Sequence, residues 1–451
     1  QCQAHFAEPI QWQDTPVRPA EPPALKAWQA APEPLPGDGT PHVLVIGAGI
    51  AGAATAYECA LRGATVSVIE RQKQPATEAS GNRQGLLYAK ISPHDTPQTE
   101  LLLSGYGYTR HLLARLLPEQ AHWQPCGVLH LNHNESERQR NRLLAQQTQH
   151  AHLYRAVCAE EAAQLAGIPI GQDGLFWPMG AWLHPAALVE RLLSHPNIRL
   201  FTEHNVEEAA YDSESRQWRV RTPHGTLSGS HIVFCTGAGS LHAPVTQQFP
   251  LQIIRGQTSI APATEYSRTL KTALSAASYI SPAWHGRHCF GATFAPNNPD
   301  TAWQAEDERH NRQALSQLNE PLYRSLSAQW GDESSLHPAG RGHAALRCDA
   351  HDHLPAVGAL GDAAAMKQVY AKFAHDKNYP IHTPCPYLPN AYLNTAHGSR
   401  GLATAPLCAA DIAAQICRTP RLLSARLQQA LNPNRLIIKE IIHGKIGAKV
   451  R

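Results

Sequence analysis

Three glycines and one carboxylate, spaced as Gly47-x-Gly49-x-x-Gly52 and Glu70, are the residues in this chain best placed to bind a reactive ligand. Gly47 permits a tight strand-to-helix turn, Gly49 lets the backbone approach a pyrophosphate, and Gly52 lets the helix pack closely on the strand. The N–H groups at the start of that helix favour an anion. Glu70 lies 21 residues beyond Gly49, where a carboxylate can accept hydrogen bonds from both ribose hydroxyls. The spacing predicts a site for a ligand with an ADP half, either FAD or NAD.

Two later glycine-rich turns could contact the same ligand. The turn TGAGS, residues 236–240, follows a predicted buried strand, and on its own it would be interpreted as an ordinary turn. The turn HGSRGL, residues 397–402, precedes a predicted apolar helix whose N-terminus suits polar flavin-ring or phosphate atoms. Because a complete dinucleotide fingerprint stands before them, we expect both turns to contact the cofactor.

The elements that position these residues follow from apolar patterning. Residues 43–46 and 65–69 are apolar and β-branched runs on either side of an Ala-rich helix, which predicts a Rossmann-like unit. Residues 180–190 predict a short strand and then a helix opened by Pro185 in its first turn. Residues 198–222 alternate apolar and polar side chains, which predicts strands of an antiparallel hairpin or meander.

Size and composition indicate a soluble enzyme with more than one domain. A chain of 451 residues exceeds the size at which one hydrophobic core usually keeps growing. The net charge is only +3, and no basic run is long enough to indicate nucleic-acid binding by itself. The ten cysteines show no CxxC pair and no metal-ligand spacing, which predicts reduced thiols, no metal and a cytoplasmic location. No stretch approaches the ~20 apolar residues that span a bilayer, so no membrane partner is expected.

The first 40 residues are typical of a linker. Residues 7–41 carry nine prolines without an apolar period, and the chain begins with Gln, so we expect another domain before residue 1. The sequence is divided as follows: a Pro-rich linker, 1–40; a discontinuous cofactor domain, 41–93, 179–248 and 339–432; a substrate domain, 94–178 and 249–338; and a basic C-terminal tail, 433–451.

These motifs together resemble the D-amino-acid oxidase and glycine oxidase group of flavoproteins. Residues 344–358, AALRCDAHDHLPAVG, are similar to that group's R-x-x-x-x-D-x-x-P-x-x-G signature. The segments ASGNRQG (79–85), HGSRGL and LNPNRL (431–436) are more particular. With them, residues 41–450 resemble the C-terminal oxidoreductase half of the MnmC family, bifunctional proteins of tRNA 5-methylaminomethyl-2-thiouridine biosynthesis. The resemblance implies an α/β (α+β) fold: a Rossmann-like FAD-binding domain of the D-amino-acid oxidase/glutathione-reductase type, with an inserted antiparallel-sheet substrate domain.

The resemblance also implies a reaction and its partners. The cofactor would be FAD, and the substrate would be a tRNA presenting its anticodon loop. A CH–NH bond of carboxymethylaminomethyl(-2-thio)uridine at the wobble position would be oxidised, which removes the carboxymethyl group and gives aminomethyluridine and glyoxylate. An N-terminal S-adenosylmethionine-dependent methyltransferase domain, on the same native chain but outside this sequence, would then methylate the amine.

Single residues take roles from the same resemblance. Arg347 matches the arginine that clamps the substrate carboxylate, because a planar guanidinium makes two parallel bonds to it; alone, Arg347 would more often be a surface ion-pair member. The implied cofactor-binding residues are Gly47, Gly49, Gly52, Glu70, Arg71, Ser80, Asn82, Gln84, Gly85, Val206, Thr236, Gly237, Gly398, Ser399, Arg400, Gly401 and Leu402. The implied RNA contacts are Lys439, Lys445 and Lys449, although such basic patches are usually solvated faces.

Two other functions share many of these features. An oxidase of free glycine, sarcosine or a D-amino acid would use the same FAD, Arg347 and glycine motifs. Only the GNRQG and LNPNR motifs and the upstream linker favour the tRNA reaction over that oxidase. A non-catalytic, flavin-bound RNA-binding module would have lost the arginine or blocked its substrate face, and Arg347 is present.

Overall fold

The computed structural model describes residues 25–33, 39–330 and 342–444. Its strands are β1 (His42–Ile46), β2 (Thr65–Ile69), β3 (Gly85–Leu87), β4 (Trp123–Gln124), β5 (Val128–Leu131), β6 (Arg155–Val157), β7 (Gly174–Trp177), β8 (Ala181–Leu183), β9 (Ile198–Phe201), β10 (Glu208–Asp212), β11 (Gln217–Thr222), β12 (Gly225–Gly229), β13 (His231–Phe234), β14 (Leu251–Pro262), β15 (Ala273–Ser275), β16 (Tyr279–Ile280), β17 (Arg287–Gly291), β18 (Ala295–Pro296), β19 (Gly342–Ala350), β20 (Ala356–Gly361) and β21 (Tyr387–Thr395). Its helices are α1 (Ile50–Leu61), α2 (Pro97–Leu116), α3 (Glu135–Ala145), α4 (Ala159–Ala166), α5 (Pro185–Leu193), α6 (Ala305–Leu318), α7 (Glu320–Ser327), α8 (Ala363–Val369), α9 (Gly401–Ile416), α10 (Ala425–Leu431) and α11 (Asn434–Ile442).

A six-stranded sheet carries the glycine fingerprint. Its strand order is β20-β21-β13-β1-β2-β9, and its pairs are parallel except for β20 with β21. The last residue of β1, Ile46, pairs with Ile69 on one side and with Phe234 on the other. The central strands are buried on both faces, as parallel strands covered by helices are. The predicted strand–helix–strand unit is confirmed: β1 is followed by α1, whose N-cap is Gly49, and α1 is followed by β2.

A nine-stranded sheet lies beside the first. Its order is β18-β14-β17-β16-β15-β5-β7-β6, with β19 also paired to β14. The predicted antiparallel arrangement is correct for its pairs except one, since β15 and β5 run parallel. The pairing of β14 with β19 extends from Leu251 opposite Ala350 to Ser259 opposite Gly342. This long ladder fixes the position of Arg347 in the second sheet.

Several elements cross the predicted domain boundaries. The sequence predicts residues 342–350 in the cofactor domain, but the pairing of β19 with β14 places them in the second sheet. The sequence predicts α2 in the substrate domain, yet α2 packs on α9. Thr109 Oγ1 donates to the Leu402 carbonyl at 2.8 Å, and a Cβ on Gly105 would lie 2.1 Å from Ala403 O. Such assignments depend on partners far away in the sequence, which local patterning does not reveal.

The segment between residues 180 and 229 confirms one prediction and corrects another. The predicted short strand and Pro-opened helix are β8 and α5, with Pro185 in the first turn. Residues 198–222 do not form one antiparallel unit, because β9 is the parallel edge strand beside β2. β10, β11 and β12 form the antiparallel meander. Alternation of apolar residues predicts an extended strand, but it does not determine the direction of the neighbour.

The two ends of the described chain also differ from expectation. The first half of the predicted basic tail is α11, whose Ile437, Ile438 and Ile441 are buried, so these residues belong to the folded domain. Within the predicted linker, Ala27–Gln29 form a 3-10 helix that buries Trp28 to 8% exposure. The hydroxyl of Tyr387 donates to the Ala30 carbonyl at 2.7 Å and holds this segment on β21. The remainder of the predicted linker up to residue 24, and residues 34–38, lie outside the described residues.

Candidate cofactor and substrate site

A cavity of about 860 Å³ joins the two sheets. It runs from the carboxyl ends of β1 and β2, past the HGSRGL turn, to β17 and β19. This volume is at the upper end of small-molecule sites. The predicted residues that line it are Gly47, Gly49, Glu70, Arg71, Ser80, Asn82, Gly85, Val206, Thr236, Gly237, Arg347, Gly398, Ser399, Arg400, Gly401 and Leu402. Among the predicted residues that the structure describes, Gly52, Gln84 and Lys439 are not part of this lining.

The glycine turn at one end of the cavity requires its glycines for steric reasons. Gly47 has φ +101°, and a Cβ there would lie 2.6 Å from the Cys235 carbonyl oxygen. A Cβ on Gly52 would lie 1.8 Å from the Gly47 carbonyl oxygen, so Gly52 lets α1 pack against the turn and stands behind the cavity wall. Gly49 precedes α1 and lines the cavity, so the start of this helix, which favours an anion, faces the space where a ligand would bind.

Glu70 lies at the end of β2 as predicted. Its carboxylate is buried and accepts hydrogen bonds from the N–H of Ala48 at 2.7 Å and of Gln72 at 2.9 Å. These bonds fix the carboxylate beside the glycine turn, with lone pairs remaining for ribose hydroxyls. The neighbouring Arg71 also lines the cavity and forms an ion pair with Glu78 at 2.7 Å.

The TGAGS turn and the loop after β9 form the wall near Glu70. Thr236 and Gly237 line the cavity, and Gly237 takes φ +51° at the start of a 3-10 helix. The hydroxyl of Thr236 is 2.7 Å from that of Ser240, which holds the turn closed. Val206 lines the cavity from the loop between β9 and β10.

The ASGNRQG loop lies between the glycine turn and the second sheet. Ser80 Oγ accepts the N–H of Ile50 at 3.0 Å, so this residue contacts the start of α1. Asn82 Nδ2 donates to the hydroxyl of Tyr279 at 3.1 Å. Gln84 is fully buried, and its amide donates to the Pro282 carbonyl at 3.0 Å, away from the cavity. The Gln84 amide thus connects the loop to the second sheet, its Oε1 has no hydrogen-bond partner among the described residues, and its predicted cofactor contact stays a prediction.

The HGSRGL turn is held from both sides. Gly398, with φ +56°, donates its N–H to the Cys348 carbonyl at 2.8 Å, which joins the turn to β19. His397 lies 2.9 Å from both Thr404 Oγ1 and Asn394 Oδ1, and burial lowers its pKa to about 3, so its ring is neutral. Arg400 lines the cavity; burial lowers the pKa of its guanidinium, while the charge of Asp349 raises it.

Arg347 reaches the cavity from β19. Its guanidinium passes over Gly256 of β14, where a Cβ would lie 2.2 Å from Arg347 Nη2. Arg347 Nη1 donates to the Thr293 carbonyl at 3.4 Å, and no carboxylate among the described residues forms an ion pair with it. Burial lowers the pKa of Arg347, and the neighbouring Tyr279 raises it, but a guanidinium keeps its charge in proteins. An unpaired cation in a partly buried wall is a strong anion-binding group.

Several lining residues were missed by sequence reasoning. Tyr279 lies between Asn82 and the Gln84 carbonyl, to which it donates at 3.0 Å, and burial raises the pKa of its hydroxyl. Tyr88 and Lys90 line the wall near Arg400, and Phe294 lines the end near Arg347. Tyr279 and Phe294 stand in no motif, so only the pairing of β14, β16 and β17 brings them to the cavity.

The predicted RNA contacts lie elsewhere. Lys439 is half exposed on α11, and its ammonium forms an ion pair with Asp352 at 2.6 Å. Lys445 and Lys449 are outside the described residues. Lys439 therefore shares its charge with an acid and is not part of the cavity lining.

The cavity fits a flavin dinucleotide in its donors and acceptors. The glycine turn and the start of α1 suit the pyrophosphate, the buried Glu70 carboxylate suits the ribose, and the HGSRGL turn suits the polar edge of the ring. No group of three or more metal-ligating side chains occurs within the described ranges. In the same ranges, every helix is too short or too polar to cross a membrane. The nine described cysteines are free thiols.

A parallel sheet with this glycine turn, joined by one cavity to a second sheet, defines a dinucleotide-dependent oxidoreductase. The chain belongs to the FAD dependent oxidoreductase family, whose profile matches residues 42–415. FAD is therefore the cofactor of this fold.

Two curated relatives are proteins named "tRNA 5-methylaminomethyl-2-thiouridine biosynthesis bifunctional protein MnmC". The one from Chromobacterium violaceum is 40% identical over 420 residues, which cover 93% of this chain and 62% of that protein. The one from Pseudomonas savastanoi pv. phaseolicola is 39% identical over 427 residues, covering 94% of this chain and 63% of that protein. The chain thus spans less than two thirds of the length of these relatives.

Solved structures with the same fold include two amine-oxidising flavoproteins. Glycine oxidase from Bacillus cereus superposes with a TM-score of 0.66 at 18% identity, covering 85% of this chain and 99% of that one. L-proline dehydrogenase from P. horikoshii superposes with a TM-score of 0.66 at 16% identity, covering 88% of this chain and 97% of that one. At these identities the likeness establishes the fold.

Proposed function

We propose that this protein oxidatively removes the carboxymethyl group from carboxymethylaminomethyl(-2-thio)uridine at the wobble position of tRNA, giving aminomethyluridine and glyoxylate. One observation carries the proposal. A chain 40% identical over 420 residues to a tRNA 5-methylaminomethyl-2-thiouridine biosynthesis protein has an arginine in its cofactor cavity that no described carboxylate neutralises.

Arg347 would bind the carboxylate of the modified uridine. Its guanidinium lies in a partly buried wall, where a charge pair is stronger than in water. Two parallel N–H···O bonds would fix the carboxylate plane and leave the adjacent methylene and amine a single orientation in the cavity. The guanidinium lies over Gly256, where the absence of a side chain leaves room for it.

The remaining predicted residues would hold the cofactor. Gly47 and Gly49 would contact the pyrophosphate and Glu70 the ribose, while the HGSRGL turn would contact the ring carbonyl. When bound, FAD supplies the two-electron oxidation of the bond between the methylene carbon and the amine nitrogen. Addition of water then breaks the oxidised bond: the carbon fragment leaves as glyoxylate, and the nitrogen remains on the uridine as a primary amine.

A methyltransferase would use that primary amine. The relatives are longer than this chain and are named bifunctional, which supports an S-adenosylmethionine-dependent methyltransferase domain on the same native chain. A tRNA substrate implies a cytoplasmic location. Lys439 remains a proposed phosphate contact because it is half exposed, and Lys445 and Lys449 follow it toward the end of the chain.

Flavin reduction tests the proposal directly. The FAD-loaded protein is mixed without oxygen with tRNA bearing carboxymethylaminomethyluridine, and separately with glycine, sarcosine and D-alanine. We expect micromolar tRNA to bleach the flavin absorbance and to release glyoxylate, with little response to the amino acids. Fast bleaching by a free amino acid and none by the tRNA would identify an amino-acid oxidase instead.

Substitution of Arg347 tests the role of its charge. Arg347→Gln should lower kcat/KM for the modified tRNA by about 100-fold, because a charged hydrogen bond in a desolvated site contributes roughly 3 kcal/mol. The FAD content should stay unchanged, since Arg347 lies at the end of the cavity opposite the glycine turn. Arg324→Gln, at an exposed position on α7, serves as the matched control. Wild-type kcat/KM in the Arg347→Gln variant would contradict the assignment.

A further inference from the structure

An exposed aromatic ring stands at the substrate end of the cavity. Phe294 is 61% exposed to solvent and also lines the cavity. The other large hydrophobic side chains exposed on the described surface lie away from that lining; they are Leu25, Leu61, Leu143, Met179, Tyr379 and Leu422. Phe294 is therefore distinguished by its position as well as by its exposure.

The backbone on both sides of Phe294 is fixed to β14. The N–H of Thr293 donates to the Gln257 carbonyl at 3.1 Å, and Thr293 Oγ1 accepts the N–H of Gln257 at 2.9 Å. On the other side, Ala295 pairs with Arg255. Phe294 thus belongs to a short loop between β17 and β18 whose two neighbouring residues are hydrogen-bonded to or paired with β14, and its ring is exposed on that loop.

Phe294 is adjacent to the proposed carboxylate site. The carbonyl of Thr293, the preceding residue, accepts a hydrogen bond from Arg347 Nη1 at 3.4 Å. Arg347 and Phe294 line the same cavity, and the residue that Arg347 contacts directly precedes Phe294 in the chain. A free amino acid bound at Arg347 is too small to cover a ring that opens to solvent. A flat group that extends outward from the amine would cover it.

We propose that Phe294 is the stacking platform for the nucleobase whose carboxymethylaminomethyl group enters the cavity. This inference rests on the proposed function and adds the contact that distinguishes a nucleotide from a free amino acid. An aromatic face stacks on any base, and single-stranded or turned-out bases are recognised in this way. Arg347 would fix the carboxylate of the substituent while Phe294 supports the ring that carries it.

The test compares a substrate that has a base with one that lacks it. For FAD-loaded Phe294→Ala, KM for the modified tRNA should rise about 5- to 150-fold, the range of one lost base–aromatic stack. Binding of sarcosine, followed by perturbation of the flavin absorbance, should change less than about twofold. Phe294→Tyr keeps an aromatic face and should stay close to wild type. Leu143→Ala controls for loss of an exposed apolar side chain elsewhere.

The outcomes separate this inference from the proposed function. An unchanged KM for the tRNA in Phe294→Ala, with normal wild-type turnover, overturns the stacking role alone. An equal loss for tRNA and sarcosine also overturns it, because the ring would then support the carboxylate site in general. A wild-type enzyme that does not oxidise the tRNA overturns the proposed function and this inference together.

Discussion

At the scale of the residue, Gly256 makes room for the guanidinium of Arg347 at the substrate end of the cavity. Gly256 lies on β14 two positions from Ile254, the residue opposite Arg347, so it is a diagonal neighbour of the arginine. A Cβ on Gly256 would lie 2.2 Å from Arg347 Nη2 and 2.4 Å from its Cζ. The guanidinium occupies the space that any other residue type would fill, which explains why glycine suits this position.

Gly256→Ala should therefore displace Arg347 without removing it. We expect KM for the modified tRNA to rise by about tenfold or more, since misplacement by about 1 Å can cost up to 100-fold in rate. The FAD content should not change, because the glycine turn is untouched. Steady-state kinetics check the expectation, with Gly171→Ala, where a Cβ has no atom within 4 Å, as the control. Unaltered kinetics in Gly256→Ala would show that the guanidinium has another position from which to act.

At the scale of the element, one acid outside α11 accepts three side-chain hydrogen bonds from it. Both oxygens of Asp352 accept from Arg435, with Nε to Oδ2 and Nη2 to Oδ1 each at 2.9 Å, and Lys439 adds a third bond. Arg435 is buried, and its charge and hydrogen bonds, followed by those of Lys439, hold the pKa of Asp352 well below its usual range. The helix predicted as a tail is thus held by a buried ion pair.

Asp352→Asn should destabilise the fold. Removing one partner leaves Arg435 buried without its counter-charge, a loss of roughly 3 kcal/mol in the free energy of unfolding. Urea unfolding at neutral pH measures this change. Asp95→Asn, which breaks an exposed pair with Arg426, should lose at most about 1 kcal/mol and serves as the control. Equal stabilities for the two variants would mean that α11 does not depend on the Asp352 pair.

Elements with local signals were predicted well, and those decided by distant partners were not. β1, α1, β2 and the Pro-opened α5 follow from patterns within about 30 residues. The sheet to which β19 belongs depends on β14, almost 90 residues earlier, and the buried face of α11 depends on a core that forms around it. The site shows the same division: the glycine turns and Arg347 stand in motifs, whereas Tyr279 and Phe294 reach the cavity only through strand pairing.

At the scale of the whole molecule, three partly or fully buried histidines connect stability to pH. Burial lowers the pKa of His130 and His231 to about 4 and that of His397 to about 3, from an ordinary value of 6.5. Arg418 contributes at His231, whereas a bond to Glu137 opposes the shift at His130. They stand in the second sheet, in the first sheet and beside the cavity, so the effect is spread over the molecule.

The sign of the pH effect follows from proton binding. Below pH 6.5 these histidines become protonated in the unfolded chain but stay neutral in the folded one. The free energy of unfolding is therefore greatest above pH 6.5 and falls as the pH drops toward 4. Each histidine adds up to about 1.4 kcal/mol per pH unit to the slope. Urea unfolding from pH 8 to 5 measures this slope, and His231→Asn should reduce it by about one proton. A stability that is flat between pH 8 and 5 would contradict the expectation.

The indole of Trp28 has a consequence for whatever the chain carries upstream. Trp28 is buried in the apolar core, and the Ala30 carbonyl accepts a hydrogen bond from Tyr387. These contacts anchor the chain to the folded domain before the first strand of the dinucleotide fold begins. A flexible tether sets an effective concentration that falls as its free length grows. The flexible linker of a catalytic domain attached upstream would therefore end at residue 28 rather than at residue 41, so the linker would be shorter. Under the proposed function, the shorter linker would raise the effective concentration of one active site near the other.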